Sequence, residues 1–100
     1  MLNIQKTIEN GKGIFALEGR LDTISAPELE KELKDSFEEL KDLTLDFAGL
    51  EYISSAGLRV LLEAHMNMMM NEVKMKLTNV NETIMEIFEV TGFSDVLTIE

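Results

Sequence analysis

Two adjacent hydroxyls, Ser54 and Ser55, stand in the stretch Y-I-S-S-A-G-L-R, residues 52–59. A serine does chemistry as a nucleophile or as a group that is itself modified. A nucleophile needs a base within hydrogen-bond reach. The single histidine is His65, ten residues along the same predicted helix and so roughly 15 Å away at the rise of an α-helix. No G-x-S-x-G elbow is present, so hydrolytic chemistry is disfavoured. Modification fits the position better. A helix is expected from about Ala56, and the free amides of a first turn and the helix dipole stabilise an anion there, including a phosphate held on a serine. The effect runs from a few tenths to about 2 kcal/mol. On spacing alone, though, the default is an ordinary N-cap serine, worth about 1 kcal/mol. Gly57, inside the expected first turn, permits close approach of another backbone.

The other chemistry-bearing residues are weaker candidates. Asp22, Asp46 and Glu51 fall near expected strand ends, where carboxylates can ligate Mg²⁺. The chain has no phosphate-cradling G-x-x-x-x-G-K-[ST] sequence, and solvated loop acids are the default. Met66, Met68, Met69 and Met70 beside His65 carry soft donors of the kind copper takes. Met66 and Met70, four apart, share a helix face, while Met68 and Met69 point elsewhere. Adaptable core packing with surface overflow is the expectation, leaving an apolar patch that can serve as a contact surface. No metal and no cofactor is expected.

These residues must be positioned by secondary structure. Leu2, Ile4 and Ile8 mark a strand over residues 2–9, Asn10-Gly11-Lys12-Gly13 a turn, and Ile14 to Leu17 a second strand, together a hairpin. Ser25-Ala26-Pro27-Glu28 reads as a helix start capped by Ser25. Ala26, Leu29, Leu33, Phe37 and Leu40 then form an apolar stripe. Leu43 to Phe47 is a central strand broken by Gly49. Leu58, Leu61, Leu62, His65 and Met69 mark one face of the second helix. Val73 to Leu77 is a strand. Asn81 caps a third helix that ends at Gly92, with Ile84, Ile87 and Phe88 inward. Val96, Leu97 and Ile99 make a short terminal strand. The order β-β-α-β-α-β-α-β predicts an α/β fold with a partly parallel sheet and helices packed on it.

Composition narrows the partners. At 100 residues the chain is one domain's worth, and 45% hydrophobic with 28% charged residues describes a folded rather than a disordered chain. It has no Cys, which excludes disulfides and fits a reducing compartment. The net charge of −10 repels phosphate backbones and anionic lipid, so neither nucleic acid nor membrane is expected as a partner, and a basic protein surface is favoured. No signal peptide is expected at the N-terminus, and no charge-free run approaches the ~20 residues that span a bilayer.

Three stretches carry a resemblance. L-T-L-D-F-A-G-L-E-Y-I-S-S-A-G-L-R-V-L-L resembles the central motif of the STAS domain, found in sulfate transporters and anti-sigma factor antagonists. F-A-L-E-G-R-L-D-T-I-S-A-P-E-L and E-I-F-E-V-T-G-F-S-D-V-L resemble its second strand with first helix and its last helix. The resemblance implies a single STAS domain over residues 1–100, with a mixed sheet of four or five strands and about three main helices mostly on one face. It further implies a cytoplasmic bacterial anti-sigma factor antagonist, not an enzyme, that works by partner switching. The antagonist binds an anti-sigma factor with serine kinase activity and frees a sigma factor. Phosphorylation of a serine at the start of the second helix switches it off, and a serine phosphatase restores it.

Motif on motif, that serine falls on Ser55, and Asp22 falls on a loop acid near the phosphorylation site. The partner-binding surface falls on Asp22, Thr23, Ser54, Ala56, Gly57, Leu58 and Arg59. Three positions depart from the family's common pattern: Ser54 stands where Asp usually precedes the phosphorylated serine, Ala56 where Ser or Thr follows, and Arg59 where a small residue is frequent. Ser54 is therefore a rival hydroxyl. A STAS scaffold or ligand-binding module without phosphorylation stays open as the alternative.

Overall fold

The computed structural model describes residues 1–100. Four strands form one sheet in the order β1-β2-β3-β4: β1 (Leu2–Glu9), β2 (Lys12–Leu21), β3 (Asp42–Ile53) and β4 (Lys74–Thr78). β1 and β2 are antiparallel, and the β2–β3 and β3–β4 pairs are parallel. The hairpin turns at Asn10-Gly11, where both residues take positive φ (52° and 82°) and Glu9 pairs with Lys12. That is the geometry a two-residue hairpin needs to match strand twist. The parallel pairs are crossed by α1 (Ala26–Ser36) and α2 (Ser55–Met70), and α3 (Glu82–Thr91) follows β4. No helix is long and apolar enough to cross a membrane.

Burial alternates along the strands, as it must when one face of a sheet is covered. Phe15, Leu17 and Leu21 of β2, Leu43, Leu45 and Phe47 of β3, and Met75 and Leu77 of β4 are buried, while Ile14, Glu18 and Arg20 lie open on the other face. The helices lie on the buried side. Leu29 and Leu33 of α1, Leu61 and Met68 of α2, and Ile84 and Phe88 of α3 join one core of 24 residues, with the Phe88 ring 6.3 Å from that of Phe47. The α/β architecture read from the sequence, a mixed sheet with three helices on one face, is the one observed.

Several boundaries differ, for local reasons. β3 does not break at Gly49 but runs on to Ile53. From Ala16 to Glu18, β2 advances two residues while β3 advances three, from Asp46 to Gly49, and a second extra residue falls between Leu50 and Tyr52. Bulges insert unpaired residues and shift which side chains face inward. Inward positions on β3 therefore run Leu43, Leu45, Phe47, Leu50, Ile53, which no period-two pattern finds. β2 likewise extends from Lys12 to Leu21, beyond the expected 14–17. α1 ends at Ser36, with Phe37–Glu39 in a 3₁₀ turn.

The buried stripe of α2 is Gly57, Leu58, Val60, Leu61, Ala64 and Met68. Met69 is exposed and His65 half-buried, one position round from expectation. β4 is Lys74–Thr78 rather than 73–77, and the expected terminal strand reduces to one bridge between Leu77 and Ile99. Asn81 caps α3 as expected, its Oδ1 accepting from the Ile84 N–H at 2.8 Å, and Gly92 ends α3 at φ 84°.

Candidate functional site

β2 and β3, the two central strands, finish at the same end of the sheet, and the loops that follow them lie side by side. The Ser54 N–H donates to the Leu21 carbonyl at 2.9 Å, extending the parallel pairing by one bond past Ile53. Ser54 is extended (φ −102°, ψ 176°) and N-caps α2, its Oγ accepting from the Gly57 N–H at 3.4 Å, while its carbonyl takes the first helical bond from Leu58 at 2.9 Å. Ser55 is the first residue of α2 and is exposed, whereas Ser54 is half-buried. The two hydroxyls thus divide: one closes the helix start and the other faces solvent.

Gly57 lets this corner form. A Cβ there would stand 2.8 Å from Leu21 Cγ, 2.9 Å from Ile53 Cγ1 and 3.0 Å from the Leu21 carbonyl oxygen. The close approach expected of this glycine is therefore present, and the backbone it admits is the end of β2. Gly57 and Leu58 are buried. They support the corner from inside, so the surface of the expected partner-binding set is Asp22, Thr23, Ser54, Ala56 and Arg59.

The loop after β2 is held by a reciprocal pair. Asp22 Oδ1 accepts from the N–H groups of Ile24 and Ser25, each at 3.1 Å, and Ser25 Oγ accepts from the Asp22 N–H at 2.9 Å. The Ser25 hydroxyl donates to the Arg20 carbonyl at 2.7 Å, and the Asp22 carbonyl receives the Ala26 N–H at 2.8 Å. Asp22 thus plays the N-cap of a capping box, with Ser25 the residue that reaches back. This corrects the reading of Ser25 as the cap: Ser25 makes no side-chain cap bond and is buried. The bond from the Ser25 amide, backed by that from the Ile24 amide, holds the Asp22 carboxyl below its ordinary range.

Two features of the corner escaped the sequence. Ile24, at the tip of the Asp22–Ser25 loop, is 86% exposed; no periodicity marks a lone apolar loop residue. Arg20 and Tyr52 pair across β2 and β3, the guanidinium 4.3 Å from the ring centroid and its Nε 3.8 Å from Asp22 Oδ2. Behind the corner, between α1 and α2, lies a cleft of about 280 Å³ lined by Thr23, Pro27, Glu30, Ala56, Arg59 and Glu63 among others.

The other candidates lie apart. His65 is the eleventh residue of α2 and lines a separate cleft with Asp42, Met69 and Lys74. Asp46 accepts from the Ala48 N–H at 2.9 Å and from Asn79 Nδ2 at 3.0 Å, tying the β3 bulge to the β4–α3 loop. Met68 is buried while Met66, Met69 and Met70 are exposed, the split of core packing and surface overflow that was expected.

Comparison with known proteins places this arrangement. The family model for the STAS domain matches residues 3–100. An anti-sigma-B factor antagonist of Bacillus subtilis (strain 168) is 30% identical over 81 residues, which cover 81% of this chain and 74% of that protein. Among solved structures, an anti-sigma factor antagonist from Mycobacterium paratuberculosis superposes with a TM-score of 0.88 at 17% identity, covering 99% of this chain and 85% of its own. The anti-sigma factor antagonist SpoIIAA in its unphosphorylated form superposes at 0.78, covering 100% of this chain and 87% of its own. The Bacillus cell fate determinant SpoIIAA in the phosphorylated form superposes at 0.77, covering 100% and 91%. Both are 14% identical.

Proposed function

We infer the function from one premise: the chain belongs to the STAS domain family. We propose that it is an anti-sigma factor antagonist, a single STAS module over its 100 residues that binds an anti-sigma factor with serine kinase activity in the cytoplasm. The Asp22–Ile24 loop and the Ser54–Arg59 turn form the contact surface. Ser55 is the residue through which binding is switched.

The observation that carries this reading is the division of labour between the two serines. Ser54 is occupied in capping α2, and Ser55, one residue on, is exposed at the first helical position. In the transfer, Ser55 Oγ attacks the γ-phosphorus of ATP, the hydroxyl proton passes to a base of the kinase, and ADP leaves. ATP and its metal belong to the kinase, and this chain is the substrate. The product adds about −1.5 to −2 charge and three acceptor oxygens at the centre of the surface. The fold tolerates that charge at a helix start, and a bound partner must desolvate it or meet it with its own acids. Two structures of SpoIIAA, which shares this fold, one in the unphosphorylated and one in the phosphorylated form, superpose on the chain almost equally well. This supports a switch that acts by surface charge rather than by refolding.

The test is to incubate the protein with a cognate kinase anti-sigma factor and ATP and to map phosphate by mass spectrometry. Phosphate is expected at Ser55 and lost in Ser55→Ala. Ser55→Asp is expected to fold normally and bind the anti-sigma factor more weakly. Phosphate on Ser54 instead, or equal binding by wild type and Ser55→Asp, overturns the assignment. A serine phosphatase is expected to return the phosphorylated form to binding.

A further inference from the structure

We propose that Arg59 is the internal receptor for a phosphate on Ser55, a clamp one helical turn away that draws the modified side chain down onto α2. The proposal rests on Ser55 as phosphoacceptor and deepens that reading by naming what the phosphate does once attached.

Ser55 and Arg59 are the first and fifth residues of α2. Residues four apart on a helix share a face with Cβ atoms about 5–6 Å apart, and an anion N-terminal to its cation is the favoured order. Long helical side chains tend to lean back towards the helix N-terminus, which puts the turn that holds Ser55 within reach of the Arg59 side chain. Both residues are exposed.

Arg59 is also uncommitted. Lys6, Arg20, Lys31, Lys34 and Lys76 each have a carboxylate within 4.0 Å, whereas Arg59, like Lys12, Lys41 and Lys74, has none. Arg20, the other arginine at this corner, is engaged with the Tyr52 ring and Asp22. Arg59 instead lines the α1–α2 cleft with Glu30 and Glu63 and closes on neither. A phosphate offers a stronger partner than either carboxylate, with more charge and with oxygens spaced for the guanidinium fork.

The clamp has a consequence for the surface. When Arg59 turns to the phosphate it leaves the cleft it lines with Glu30 and Glu63, and the charge uncovered is chiefly that of Glu63, since Glu30 keeps Lys34 at 3.6 Å. A partner then meets added negative charge at Ser55 and uncovered negative charge beside Thr23 and Ala56. One modification thereby alters two adjoining patches.

The test uses the full chain with phosphoserine genetically encoded at position 55, so it does not depend on any kinase's choice of residue. The second ionisation of the phosphate is followed by ³¹P NMR. In the wild-type background it is expected below the value of about 6 of a free phosphoserine, and Arg59→Gln is expected to raise it by roughly half a unit, the effect of one exposed ion pair. Arg59→Lys, which keeps charge without the fork, is expected to fall between. Phosphoserine encoded at position 54, five residues from Arg59, is expected to titrate alike with and without Arg59. Identical titration of phosphoserine 55 in wild type and Arg59→Gln overturns the clamp, as does a shift carried equally by position 54. Failure of a kinase to modify Ser55 would instead remove the switch, a separate result.

Discussion

The Ser54 amide lies 2.9 Å from the Leu21 carbonyl, and this bond joins two segments more than thirty residues apart in sequence. It is the last rung of the parallel β2–β3 ladder, and beyond it one chain turns into the Asp22 loop and the other into α2. The proposed contact surface is therefore fixed to the sheet.

Gly57 is the residue on which that junction depends. Alanine at this position gains helix propensity of up to about 1 kcal/mol but sets a methyl within 3.0 Å of Leu21 and Ile53 atoms, and such overpacking costs typically about 1–3 kcal/mol. Since one of the three contacts is backbone, the clash wins. Gly57→Ala is expected to be destabilised in urea denaturation, and Gly57→Val more so. Unchanged stability in Gly57→Val would mean that α2 swings away from β2 at no cost.

Asp22 gives the loop a pH dependence. Its carboxyl is held below the ordinary range chiefly by the Ser25 amide, so its contribution to stability is present above that range and is lost as pH falls through the depressed value. Asp22→Asn keeps an acceptor oxygen but not the charge. The gap in melting temperature between wild type and Asp22→Asn is expected to be largest near neutral pH and to close in acid. A gap that stays constant through the acid range would show that the charge contributes nothing.

The elements that carried periodicity and caps were legible. The Asn10-Gly11 hairpin, Asn81 before α3 and Gly92 after it announce themselves because each residue type answers a specific backbone need. β3 was legible only to Phe47, because two bulges move its inward positions from a spacing of two to a spacing of three. At the site, the Ser54-Ser55 pair and Gly57 could be singled out from local sequence, while the choice of Ser55 rests on the resemblance to the family motif. The Asp22–Ser25 box was also written there, as an acid and a serine three apart, but Pro27 drew attention one turn too far along. The contact of Ser54 with Leu21 could not be read, because pairing between distant strands leaves no local signature.

The two serines are expected to separate by stability. Ser54→Ala removes an N-cap whose bond, at 3.4 Å, is long, so its cost falls at the lower end of the cap range, about 0.5–1 kcal/mol. Ser55→Ala removes an exposed hydroxyl with no protein partner and should change stability by less than about 0.5 kcal/mol. Chemical denaturation of the two variants checks this. If Ser55→Ala proved the more damaging, Ser55 would be part of the fold rather than of the contact surface.

The methionines at the far end of α2 make the last case. Met66, Met69 and Met70 are exposed, whereas Met68 is 2% exposed and packs in the core. Dilute peroxide is expected to convert the first three to sulfoxides well before Met68, as followed by peptide mass spectrometry. Because those three side chains have little packing to lose, circular dichroism and the melting temperature are expected to change little at that stage. Met68→Ala, by contrast, opens a cavity beneath α2 and is expected to cost roughly 2–5 kcal/mol. Oxidation of Met68 at the rate of Met66 would mean that the end of α2 opens in solution. Ser55 lies about three turns away and Arg59 about two, and the helix start is held independently by Ser54 and Gly57, so binding to the proposed anti-sigma factor partner is expected to survive oxidation of the exposed three.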